Sequence, residues 1–288
     1  MTRAAGRPAI TAVVLTLDEE RDLARCLTSV AWCDECVVLD SGSVDRTPEI
    51  ALRHGARFES APWSGFAAAR NRAVELASHD WVLALDADEW LAEGACEAIE
   101  RAIASADAQA YALPRRNLWC GGVVRHAFGA DRVVRLVRRG TGRFRGARLH
   151  DGWRADLGSR VADLDAPIVH LSYRTVEDYG ARIARYARLA AHDRADRGAR
   201  FSAARLAFGP LGAFLRSWVL RRGALDGVRG LTVSFGAAWY VALREAALWE
   251  RTCRDDAEVE SLVPPTSEDP DPASAITRDR SGTGGAGR

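Results

Sequence analysis

Near its start the chain alternates short apolar runs with amphipathic helical patterns, and each run stops abruptly at polar or acidic residues. Ile10–Leu15, Cys36–Leu39 and Trp81–Leu85 have strand length and are apolar apart from Thr11. Ala56–Glu59 predicts one more short strand. Between them, Asp18-Glu19-Glu20 opens a helical pattern with Leu23, Cys26, Leu27 and Val30 on one face. Thr47-Pro48-Glu49 reads as an N-cap followed by proline at the first helical position, and Gly65–Ala77 is a third helical stretch. Strands apolar on both faces and separated by helices predict an α/β fold with a parallel sheet covered on both sides. Ligands of such sheets bind outside the carboxyl ends of the strands, where Asp40 and Asp86 fall.

After about Ala106 the pattern changes. Gln109–Pro114 and Arg132–Val137 predict strands, joined by a stretch rich in glycine and arginine. From Thr175 the chain reads as helical: Thr175 with Glu177 and Asp178 resembles a capping box, and Val176, Tyr179, Ile183, Tyr186 and Leu189 follow at helical spacing. Phe201–Trp249 is apolar and studded with arginine, with breaks expected at Gly209-Pro210 and Gly223. Asp255–Arg288 is rich in Pro, Ser, Gly and Asp, has little to bury, and is expected to be disordered. The expected organisation is an α/β domain over residues 9–172, a helical region over 173–253 and a tail over 254–288.

Forty basic residues against thirty-nine acidic leave a net charge of +1, so no global field attracts nucleic acid. All forty are arginine, a side chain suited to phosphate recognition. The six cysteines are irregularly spaced; Cys33 and Cys36 form a CxxC that leads into a strand, with no second pair to complete a zinc site. They are read as small core hydrophobes. No apolar leader precedes the first strand, and the longest uncharged apolar run, Leu231–Leu243, falls short of the ~18–20 residues that cross a bilayer. The expected setting is the cytoplasm.

Chemistry concentrates in Leu83–Trp90, LALDADEW, where Asp86, Asp88 and Glu89 crowd one strand end. Paired carboxylates at a sheet edge suit Mg²⁺ bound through one or two acids plus substrate phosphates. A solvated acidic turn fits the same letters equally well, so this stretch alone leaves both readings open. A phosphohydrolase aspartate motif wants Thr or Val where Trp90 stands and is set aside.

Taken in order, Thr16-Leu17-Asp18-Glu19-Glu20, Val37 to Thr47 (VVLDSGSVDRT), Ala69-Arg70-Asn71-Arg72-Ala73 and Asp86-Ala87-Asp88-Glu89 resemble the nucleotide-sugar half of glycosyltransferase family 2, with its GT-A fold. Later stretches are similar to the bacterial lipopolysaccharide-core β-1,4-glucosyltransferases: Leu113–Asn117, Arg125-His126, Arg135–Gly140, Leu149-His150-Asp151, His170–Arg174 and Leu225–Gly230. The resemblance spans about residues 9–251. It departs at Leu15 and Asp18, where the family has proline and asparagine, and at Asp151, where it has glutamate.

What the resemblance implies is a GT-A (Rossmann-like) nucleotide-sugar-binding domain with a C-terminal helical extension. Its activity would be inverting transfer of a hexose, glucose from UDP-glucose, to a cell-envelope glycan such as the lipopolysaccharide core. Thr16, Glu19, Asp40 and Ser43 would line the uridine pocket, Asp86 would contact ribose or metal, and Asp88 would hold Mg²⁺ or Mn²⁺ against the diphosphate. Arg70 reads either as a phosphate contact or as a surface arginine, and His150 as a metal or diphosphate ligand or a structural histidine. Asp151 is the expected base, with Glu89 in reserve. Arg115, Arg116, Arg125 and Arg135 read as an anionic acceptor site or as solvated charges. The helices around Leu206–Leu220, flanked by Arg205, Arg216, Arg221 and Arg222, either pack on the catalytic domain or lie against the cytoplasmic face of the inner membrane, where a lipid-linked glycan acceptor would be found. The alternative to an enzyme is an inactive nucleotide-sugar or glycan-binding module.

Overall fold

A computed structural model describes residues 7–129, 131–147 and 150–253, with the side chains of Ala147, His150, Asp151 and Cys253 outside the description. In chain order the first half runs β1 (Ile10–Thr16), α1 (Leu23–Ser29), β2 (Glu35–Asp40), α2 (Thr47–Arg53), β3 (Arg57–Ser60), α3 (Phe66–Leu76), β4 (Trp81–Asp86), β5 (Glu89–Leu91) and α4 (Ala95–Ser105). Seven strands follow: β6 (Ala110–Trp119), β7 (Gly122–Val124), β8 (Arg132–Arg138), β9 (Gly142–Ala147), β10 (His150–Ala155), β11 (Val161–Asp163) and β12 (Ile168–Tyr173). Helices α5 (Val176–Asp196), α6 (Ala203–Leu215) and α7 (Gly227–Cys253) close the described chain.

The main sheet has the order β3-β2-β1-β4-β8-β6-β12-β5. Its first four strands are parallel, and β8 joins β4 antiparallel. This is the GT-A arrangement, and it matches the α/β expectation. Along β1 the side chains alternate between two cores, as period-two geometry requires. Ile10, Ala12 and Val14 pack with Leu23, Leu27 and Ile99, whereas Val13 and Leu15 pack with Ala69, Ala73 and Val74 of α3. Both faces are therefore dry, which explains the unbroken apolar runs.

Register places the chemistry. Thr16 pairs with Asp40, and Leu15 pairs with Asp86, so three motif-bearing strand ends lie side by side. A separate hairpin, β9–β10, carries His150 and Asp151 in its backbone. Phe144 and Trp153 anchor that hairpin in the core beneath α3, their rings edge-on at 5.0 Å.

In the C-terminal region one expectation needs correcting. α6 runs through Gly209-Pro210 instead of breaking there. Gly209 lets the helix sit close to α7, where an added Cβ would meet Val241 Cγ1 at 3.0 Å. The interruption comes later, in a π turn over Arg216–Leu220 and a 3-10 turn over Gly223–Asp226. Thr175 does cap α5, its side chain accepting from the Asp178 amide at 3.0 Å. Among the described residues, no helix is long and apolar enough to cross a membrane.

Candidate functional site

The loops that leave β1 and β2 are interlocked by their own polar side chains. The Asp40 carboxylate, 2% exposed, accepts from the amides of Gly42 and Ser43 at 2.9 and 2.8 Å and from the Ser43 hydroxyl. Ser43 Oγ in turn accepts from the Asp18 amide at 2.8 Å, and Asp18 Oδ1 accepts from the Val44 amide at 2.9 Å. Asp18 sits at φ +54°, a left-handed conformation that Asn and Asp tolerate through their short polar side chains. Asparagine and aspartate are thus interchangeable at this turn. Glu19 donates its amide to Thr47 Oγ1 at 2.8 Å, which clamps this loop onto the start of α2. Thr16 is buried, and its hydroxyl has no hydrogen-bond partner among the described residues.

Beside this frame lies an open cleft of about 500 Å³, lined by Glu19, Asp22 and Asp88 together with Arg174, Arg182 and Arg185. Burial and the neighbouring carboxylates of Asp88 and Asp22 push the Glu19 carboxyl up to about 7. Asp22 itself is held by Arg25 at 2.7 Å and by Arg174. The cleft therefore presents concentrated negative charge next to arginines from the β12–α5 corner. Arg182 and Arg185 had no sequence signal beyond helical arginine, because nothing in one dimension shows that α5 faces the strand ends.

Behind Asp88 runs a buried ion network. Arg70 of α3 is 1% exposed and donates to Asp86 at 3.0 and 3.3 Å, so the surface-arginine reading is excluded. Arg135 of β8 donates to Asp86 at 2.7 Å and to both Glu89 oxygens at 3.1 and 3.0 Å. Burial works against ionising Asp86, but the Arg70 and Arg135 guanidiniums outweigh it and hold the carboxyl well below the usual range. Glu89 has no solvent exposure; besides Arg135 it accepts from Arg115 at 3.3 Å and from the Asp86 amide at 3.1 Å.

Two expectations change as a result. Glu89 is a structural anion enclosed by arginines, with no room to take a proton from an acceptor. Arg135 and Arg115 serve this network, Arg115 also reaching Asp131 at 2.7 Å, and neither is a free acceptor-site cation. Arg116 and Arg125 remain exposed.

Asp88 faces a residue that the sequence reading had not singled out. His170 Nε2 lies 3.6 Å from Asp88 Oδ2. Its Nδ1 is engaged by Asn117 Oδ1 at 2.8 Å and by Ser172 Oγ at 3.0 Å, which orients the ring. Burial would lower the imidazole's affinity for a proton, but the Asp88 carboxylate beside it raises it. His170 belongs to the His170–Arg174 stretch; the signal lay in its sequence, and its partner was visible only once β12 was placed. Among the described residues no three-membered cage of His, Cys, Asp or Glu is present. A carboxylate that lines a polar cleft, with an imidazole nitrogen next to it, fits a divalent ion completed by substrate phosphates.

The Ala69–Ala73 element has a second task. Asn71 clasps the Phe144 backbone with two hydrogen bonds of 2.9 Å, and the Arg70 guanidinium lies 5.4 Å from the Phe144 ring centre. One helix turn thus orders both Asp86 and the hairpin that carries His150 and Asp151, whose side chains lie outside the described residues.

Residues 11–153 match the model of glycosyl transferase family 2. The chain is 27% identical over 250 residues to the lipopolysaccharide core biosynthesis glycosyltransferase LpsC of Rhizobium meliloti, covering 84% of this chain and 92% of that protein. It is 28% identical to an uncharacterized glycosyltransferase of Rickettsia typhi, over 84% and 87% of the two chains. A solved structure of glucosyl-3-phosphoglycerate synthase from Mycobacterium tuberculosis, in complex with Mn²⁺, UDP and glucosyl-3-phosphoglycerate, is similar over 39% of this chain at 28% identity and a TM-score of 0.34. That match spans less than half of the synthase, 45% of its chain.

Proposed function

With this chain a member of glycosyl transferase family 2 through residues 11–153, we propose that it transfers glucose from UDP-glucose, with inversion, to a hydroxyl of a cell-envelope glycan. The observation that carries this reading is the placement of Asp88, with His170 next to it, in a cleft lined by acids and arginines at the carboxyl edge of the parallel strands. The acceptor class rests on the likeness to the lipopolysaccharide core glycosyltransferase.

Asp88 and His170 would hold Mg²⁺ or Mn²⁺, with His150 of the β9–β10 hairpin as a further candidate ligand. Such an ion, when bound, offsets the negative charge that develops on a departing diphosphate. The chain's own residues do the rest. Asp86, fixed by two arginines, accepts hydrogen bonds from the ribose. Thr16, Glu19, Asp40 and Ser43 border the uridine, where the unpartnered Thr16 hydroxyl is available to a base or sugar. Asp151 takes the proton of the acceptor hydroxyl as its oxygen bonds to C1 and the C1–O bond to the diphosphate breaks from the opposite face. A positioned base of this kind contributes about 10²–10⁴-fold in rate.

The test is release of UDP from UDP-glucose with Mn²⁺, followed with and without a lipopolysaccharide-core acceptor. Acceptor-stimulated UDP release that vanishes in Asp88→Asn supports the reading. UDP-glucose binding with no release under any acceptor would instead identify an inactive nucleotide-sugar module.

A further inference from the structure

Catalysis leaves the outer face of the C-terminal helix pair without a role. α6 and the π turn after it carry Phe208, Leu211, Leu215 and Val219 at successive spacings of three, four and four, all exposed to solvent. α7 runs back along α6, with Gly209 against Val241 and the Phe214 and Phe235 rings 5.0 Å apart. It adds Val228, Phe235 and Trp239, again on one side, at 80%, 58% and 55% exposure. Isolated exposed apolar residues are ordinary, but a continuous stripe along two packed helices marks an interaction surface.

The charge around this stripe is one-sided. Residues 200–244 contain seven arginines and a single acid, Asp226, in a chain whose net charge is only +1. Asp226 faces inward, accepting from the amides of Arg125, His126 and Ala127 at 2.8–3.0 Å. The buried Glu245 binds Arg194, Arg205 and Arg244 and so ties three helices together. That leaves Arg216 and Arg222 exposed along the apolar stripe, with Arg221, which donates to the Phe128 carbonyl at 3.2 Å, and Arg229, which lies against Gly122, also exposed and no acid of this segment exposed beside them.

We propose that this face docks on an anionic lipid surface. The aromatic and aliphatic stripe would enter the headgroup–acyl boundary, while the arginines extend their aliphatic stems and place guanidiniums among lipid phosphates. A second copy of the chain fits less well, because a two-fold pairing of this face sets one arginine rim against the other. The same helices reach the cleft: the Tyr179 hydroxyl of α5 donates to the Val233 carbonyl of α7 at 3.2 Å, and α5 supplies Arg182 and Arg185 to the cleft lining. Docking would therefore present the cleft to acceptors carried at a membrane surface. The inference stands on the exposed face and its charge and does not depend on the choice of sugar donor.

Flotation of the full chain with phosphatidylcholine vesicles, and with vesicles containing about one-third phosphatidylglycerol, tests it. The expected result is at least about tenfold more protein on the anionic vesicles, falling at high salt as charge screening requires. Arg216→Glu/Arg222→Glu and, separately, Phe208→Ser/Leu211→Ser should each lower vesicle binding by about tenfold or more while leaving the melting temperature unchanged. No binding to anionic vesicles, or unchanged binding by both double variants, overturns the proposal. So does a wild-type dimer in sedimentation that Phe208→Ser/Leu211→Ser dissociates, because a second copy would then be the occupant.

Discussion

Asp88 and Glu89, just beyond the end of β4, have different surroundings and should fail differently when changed. Asp88 has one imidazole neighbour at 3.6 Å and opens on the cleft, so its cost is catalytic. Asp88→Asn is expected to lower transfer by at least about 10²-fold with an unchanged melting temperature, since it removes a ligand and no packing. Near-normal turnover would remove the metal assignment. Glu89 is the opposite case. It is enclosed by Arg135 and Arg115, and deleting one member of a buried ion group leaves the others uncompensated, typically at about 3–5 kcal/mol. Glu89→Gln should therefore shift the denaturation midpoint strongly; full stability with lost turnover would restore Glu89 as a base. Asp151→Asn tests the remaining candidate, and the expected outcome is a lower kcat with the KM for the sugar nucleotide preserved. In the sequence Asp88 and Glu89 read, with Asp86, as members of one cluster. Their separation depends on Arg115 and Arg135, which lie 26 and 46 residues beyond Glu89 and arrive only with β6 and β8.

Two contacts decide how the helical elements sit on the sheet. The Asp226 carboxylate gathers three consecutive amides and the His126 ring at 3.0 Å, fastening the 3-10 turn before α7 to the loop after β7. Burial opposes its charge, but these hydrogen bonds win and lower its carboxyl below the ordinary value of 3.8. Because the native state holds the deprotonated form more tightly, this stabilisation is complete above pH 3.8 and is lost as pH falls through the lowered native value. Asp226→Ala should cost about 1–3 kcal/mol at neutral pH by orphaning the amides, and the difference from wild type should shrink in strong acid. Urea titrations at the two pH values check it. At Gly236 the constraint is space. An added Cβ would lie 2.1 Å from the Tyr179 hydroxyl, so Gly236→Ala should loosen α7 from α5 and lower the melting temperature. The capping threonine of α5 was readable from the sequence because caps are local. The continuation of α6 through Pro210 was not, since helix-breaking propensity was overridden by packing against α7.

At the scale of the molecule, donor and metal should stabilise the fold together. A ligand at about 100 times its dissociation constant adds about 2.7 kcal/mol to native stability, so UDP-glucose with Mn²⁺ should raise the melting temperature by several degrees. Asp88→Asn should abolish the Mn²⁺-dependent part of that rise, and an equal rise in the variant would argue against this site. By itself the sequence determined the parallel α/β half, because strand length, apolar runs and caps are set within a few residues of one another. It also placed Asp40, Asp86 and Asp88 at strand ends, and its ordered motifs carried the family resemblance. The tertiary structure alone decided what each charged side chain does. It turned Glu89 and Arg135 from candidate reacting groups into buried supports, set His170 opposite Asp88, and left one helix face apolar and ringed by arginine. Those roles depend on which distant strands and helices surround a charge, and a charge's cost and reach follow from its neighbours and burial rather than from its own letter.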